Sequence, residues 1–119
     1  MKNSFSQSNR YSQEVDIETI KVGGSKYHSD AEEVNGHFYR VKGKKHVQKC
    51  LVYFHGGHGF AGSSVNYKEV IARYACECEV TILAVDYRLE HKKLRNPKYG
   101  MVDGFAALWW LMDPSNAED

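Results

Sequence analysis

Apolar and polar residues alternate from Val15 to Val22, with Val15 and Ile17 in one phase and Ile20 and Val22 in the other. Such alternation predicts a strand near 15–22, exposed enough to sit at a sheet edge. Gly23-Gly24-Ser25 then breaks the pattern, as glycine pairs do. A second strand is expected near 34–42, where Tyr39 and Val41 share a face, with Gly43-Lys44-Lys45 turning the chain after it. Cys50-Leu51-Val52-Tyr53-Phe54 is a continuous apolar run, which predicts a strand near 49–54 covered on both faces in the middle of a sheet. Glycines crowd the next stretch, from Gly56 to Gly62. A helix is predicted near 66–77, with Asn66 as its cap, Glu69 completing a capping box, and Val70, Ile71, Tyr74 and Ala75 as its buried stripe. Val80 to Val85 is apolar and β-branched and predicts a strand near 79–86. A last helix is expected near 97–112, capped by Asn96 and opened by Pro97, with Val102, Phe105, Ala106, Trp109 and Met112 buried and Pro114 stopping it. Strand, helix, strand, helix in that order predicts an α/β fold, a mostly parallel sheet with flanking helices.

Composition adds limits to this picture. The 119 residues suffice for one small domain. Residues 1–13, rich in Ser, Asn and Gln, are expected to form a flexible tail ahead of a domain spanning 14–119. Sixteen basic and fifteen acidic residues give a net charge of +1, which offers no electrostatic reason for a nucleic-acid partner. No stretch has the length of a membrane span, and the N-terminus lacks the apolar centre of a signal peptide. Three cysteines, Cys50, Cys76 and Cys78, are an odd count that fits reduced thiols and a cytoplasmic location.

The candidate chemistry lies where the third strand runs into His55-Gly56-Gly57-His58-Gly59. Glycines let backbone N–H groups converge at the C-terminal end of a strand, where ligands bind in open α/β sheets. Such donors can hold the oxyanion that develops in acyl transfer. His55-Gly56-Gly57, followed by Gly59-Phe60 and Gly62-Ser63, resembles the HGGG oxyanion loop of the hormone-sensitive-lipase-like α/β-hydrolases, which include carboxylesterases. Val85-Asp86-Tyr87-Arg88-Leu89 is similar to the VDYRL segment of that family. Asp103 to Leu111 resembles the helix that precedes its nucleophile strand. The three matches fall in the family's order over residues 51–111.

The resemblance implies the N-terminal half of an α/β-hydrolase fold acting on a small-molecule carboxylic ester, with no cofactor and no metal. It implies an oxyanion hole at Gly56, Gly57, His58 and Gly59, with the N–H groups of Gly57 and His58 as donors, and structural roles for His55, Asp86, Tyr87 and Arg88. Two departures alter the loops. His58 stands where a third glycine is expected, or is inserted, and Glu90-His91-Lys92-Lys93 replaces the family's Ala-Pro-Glu. No G-x-S-x-G elbow occurs among the 119 residues, so no catalytic residue is present and the serine, acid and histidine of a triad are expected beyond Asp119. The chain is therefore expected to be inactive alone and to need a complementing C-terminal segment. The alternative is a non-catalytic module whose glycine loop holds a small anion.

Other candidates have simpler accounts. His55 and His58 with Asp86 would make an incomplete metal set, and Cys76 and Cys78 lack the partners of a four-ligand shell. Ser63 and Ser64 precede a helix and suit capping. His91 to Arg95 suits a solvated loop, and adjacent Trp109 and Trp110 point about 100° apart, one to the core and one to a neighbouring element.

Overall fold

Val15–Gly23 (β1) and Glu33–Val41 (β2) pair antiparallel, from Val15 opposite Val41 to Gly23 opposite Glu33. This is a computed structural model, and it describes residues 11–43, 49–55, 67–89 and 98–116. The remaining elements are Cys50–Phe54 (β3), Lys68–Cys78 (α1), Thr81–Val85 (β4) and Lys98–Met112 (α2), with a 3₁₀ turn at Pro114–Asn116. The sheet order is β1-β2-β4-β3. β2 and β4 are antiparallel, and only β3 and β4 run parallel, so the described sheet is mixed.

Strand parity separates two cores. Tyr39, Ile82 and Ala84 point to one face and pack with Ile71, Ala72 and Ala75 of α1. Val34, Phe38, Leu83 and Val85 point to the other and pack with Ala107 of α2. The helices thus lie on opposite faces of the sheet, as the alternation of side chains in a strand requires when both faces are covered. At the end of β1 the chain turns through Gly23, whose φ of +80° favours glycine, and a Cβ there would lie 3.3 Å from the backbone nitrogen of Ala107.

Several expected burial patterns fail. β3 is at the margin of the described sheet, and Leu51 and Phe54 are each 47% exposed, because α1 and α2 are centred over β1, β2 and β4. α2 faces the sheet through small side chains, and α1 through Ile71 and two alanines. α1 buries Ile71, Ala72 and Ala75, while Val70 and Tyr74 are exposed. α2 buries Asp103, Gly104, Ala106 and Ala107, while Phe105, Trp109 and Met112 are exposed. Trp110 packs near the core, 6.3 Å from the Phe38 ring, and Trp109 lies against Phe105. Alanine and glycine let a helix axis approach the sheet closely, which displaces the bulky residues to the outer side.

The helix starts also differ. α1 begins after Tyr67 with no side-chain cap, and Asn66 lies outside the described residues, as do Asn96 and Pro97. The Glu69 carboxylate accepts from the Ser12 N–H at 3.3 Å. Residues 1–13 were expected to form a flexible tail; residues 1–10 of it lie outside the described residues. Tyr11 packs against the α1 core, its hydroxyl donates to Glu77 at 3.0 Å, and Arg73 lies over its ring, so residues 11–12 are docked on α1.

Tyr39 is buried, and that burial, with Asp86 and Glu69 nearby, pushes its hydroxyl up to about 12. A raised pKa favours the neutral phenol in the folded state. Its contribution is complete below the unfolded value, near 10, and is lost as pH rises toward 12. The fall in urea midpoint between pH of about 9 and about 11.5 is therefore expected to be smaller in Tyr39→Phe than in the parent. Equal falls in both would contradict this.

Candidate active site

The ends of β3 and β4 lie side by side because the two strands are parallel, with Phe54 opposite Val85. His55 and Asp86 follow directly. His55 and the residues after Val85 therefore leave the sheet at one end, the end at which α/β sheets bind ligands.

His55 is 4% exposed. Its ring stacks on Tyr87, with centroids 4.5 Å apart and planes 11° from parallel, and lies 6.4 Å from Tyr67 at 22°. The Tyr87 hydroxyl donates to the His55 carbonyl at 2.6 Å. Burial, and then the neighbouring Tyr67, raises the Tyr87 hydroxyl above its ordinary value, so it remains a protonated donor at neutral pH.

Asp86 donates its N–H to the Asn35 carbonyl, and its carboxylate lies 2.8 Å from His37 Nε2. His37 Nδ1 is in turn 2.7 Å from the Thr19 hydroxyl, so β1, β2 and the end of β4 are joined by side chains. Arg88 turns toward α2. Its Nε lies 2.8 Å and its Nη2 3.0 Å from the two Asp103 carboxylate oxygens, while its backbone N–H also donates to Asp103. Asp103 is fully buried and further accepts from the Glu32 N–H at 3.0 Å. Arg88 also donates to the Asp30 carbonyl, meets Glu32 and lies over the Tyr99 ring. The start of α2 can close on this site because residue 100 is glycine. A Cβ there would lie 2.9 Å from the Arg88 carbonyl and 3.1 Å from the Tyr87 ring.

Of the sequence-derived candidates, His55, Asp86, Tyr87 and Arg88 are thus gathered at one end of the sheet. Gly56, Gly57, His58 and Gly59 lie outside the described residues, as do Ser63, Ser64 and the 91–95 segment. Sequence reasoning missed His37, Tyr67 and the role of Asp103. Spacing could not reveal His37, which is 49 positions from Asp86. Asp103 carried a signal, an acidic residue on an otherwise apolar helix face. Cys76 is half-buried and Cys50 and Cys78 are exposed, all as free thiols.

A sequence profile of the alpha/beta hydrolase fold matches residues 51–119, more than half of the chain. The chain belongs to the alpha/beta hydrolase fold family. Solved structures agree on the fold. An esterase from Pyrobaculum calidifontis superposes with a TM-score of 0.72 at 23% identity, covering 96% of this chain and 35% of the esterase. Carboxyl esterase 2 of the mycorrhizal fungus Tuber melanosporum gives 0.66 at 24% identity, covering 83% of this chain and 30% of its own. The thermostable carboxylesterase EstE1, cloned from a metagenomic library, gives 0.68 at 22% identity, covering 97% and 38%. This hydrolase-fold chain spans about a third of the length of the esterases it resembles. No curated protein sequence matches it.

Removing one member of a buried ion pair leaves the other without compensation. Arg88→Met is expected to lower unfolding free energy by about 3 kcal/mol in urea titration. Glu18→Gln breaks the exposed pair with Arg40 and is expected to cost less than about 1 kcal/mol. Similar losses from both would show that the Arg88–Asp103 pair has no special weight.

Proposed function

We propose that this chain supplies the oxyanion-stabilising part of a carboxylic ester hydrolase that works by serine acyl transfer. The observation that carries this is the parallel exit of β3 and β4, which brings buried His55, at the threshold of the glycine loop, against Tyr87. In this reading the N–H groups of Gly57 and His58 donate hydrogen bonds to the negatively charged oxygen that forms from the ester carbonyl, with Gly56 and Gly59 shaping the loop. The likeness to esterase structures over most of the chain supports it. The substrate is a small-molecule ester. The reaction needs a serine nucleophile, a histidine base and an orienting acid. No G-x-S-x-G is present among these 119 residues, so a complementing C-terminal segment would provide them.

The 119-residue chain is expected to hydrolyse p-nitrophenyl butyrate no faster than a buffer blank. Extended by its downstream reading frame, the protein is expected to carry a G-x-S-x-G elbow and to turn the ester over. In that extended protein Gly57→Pro removes one N–H donor and is expected to lower kcat by about 10²–10³-fold. Turnover by the short chain, or full activity in Gly57→Pro, would refute this assignment.

A further inference from the structure

Tyr87 lies one position after Asp86 and one before Arg88, yet its side chain serves neither of their contacts. The hydroxyl is spent on a backbone carbonyl, that of His55, and the ring on the His55 imidazole. Two different interactions from one side chain thus hold one residue, the last one before the glycines. The Tyr87 ring is also approached by α2 at Gly100, and the Phe54 ring lies 6.3 Å away. Tyr87 is therefore itself held, by Arg88 locked to Asp103 next door and by the helix against its edge.

A peptide unit is planar. A hydrogen bond to the His55 carbonyl consequently restrains the whole peptide that leads out of β3, and not one atom alone. The stacked imidazole restrains the same residue about its side-chain torsions. We propose that Tyr87 is a positioning residue for the oxyanion loop, orienting through His55 the peptide from which the loop amides proceed. This rests on the esterase assignment above for its catalytic consequence, though not for the restraint itself. A displacement of about 1 Å in an oxyanion donor is enough to cost up to about 10²-fold in rate, so a single hydrogen bond at the loop's threshold can matter to kcat.

Tyr87→Phe keeps the ring and its stacking and removes only the donor. In the isotopically labelled 119-residue chain it is expected to shift the amide resonances just after His55 and to speed their hydrogen exchange about tenfold. Tyr27→Phe removes a hydroxyl bonded to Asp113 and is expected to change neither. In the extended, active protein Tyr87→Phe is expected to lower kcat about tenfold with KM within about twofold. Unchanged exchange in Tyr87→Phe overturns the proposal, as does unchanged kcat in an active parent. An extended parent without turnover overturns the esterase assignment instead, and the exchange measurement then decides alone whether Tyr87 restrains the loop.

Discussion

The Asp103 carboxylate, on the buried face of α2, is the point on which the C-terminal end of the sheet is assembled. The N–H donors of Glu32 and of the Arg88 backbone and guanidinium converge on it. Burying a carboxylate away from water is costly without such partners, so its burial requires that these segments come together. The turn before β2, the segment after β4 and the first turns of α2 are three stretches distant in sequence. One buried anion holds all of them.

The rest of the site follows from that constraint. With Arg88 committed to Asp103, Tyr87 must face the opposite way, toward His55. With Asp86 paired to His37 on β2, the backbone at the end of β4 is held on both sides of Tyr87. The exit of β3 is therefore defined by residues that follow β4, even though the glycine loop follows β3. In the proposed oxyanion site the donors would be backbone amides, and amides can be placed only by restraining the chain that carries them.

α2 reaches the sheet through small side chains and α1 through Ile71 and two alanines, and several larger apolar residues are left outside. Val70 and Tyr74 on α1, and Phe105, Trp109 and Met112 on α2, are exposed together with Leu51 and Phe54 on β3. Among the described residues β3 pairs on one side only, and an edge of that kind beside exposed aromatic and aliphatic groups is open to association with another strand. In the esterases to which the chain is similar, about two thirds of the polypeptide lies outside the part it matches.

The α/β fold and the order of its elements were legible in the sequence, because hydrophobic period and glycine and proline punctuation are local properties. Leu51–Phe54 read as a strand and His55-Gly56-Gly57 as a candidate site for the same reason. Depth of burial was not legible. Helical periodicity places Phe105 and Ala106 on adjacent positions of one stripe, but only the distance between helix and sheet decided that alanine goes in and phenylalanine stays out. The partnerships of Asp86 with His37, Arg88 with Asp103 and Tyr87 with His55 likewise required the folded chain. Each joins residues that no spacing rule connects, and hydrogen bonds in a protein are chosen by proximity in space once the apolar faces have been buried.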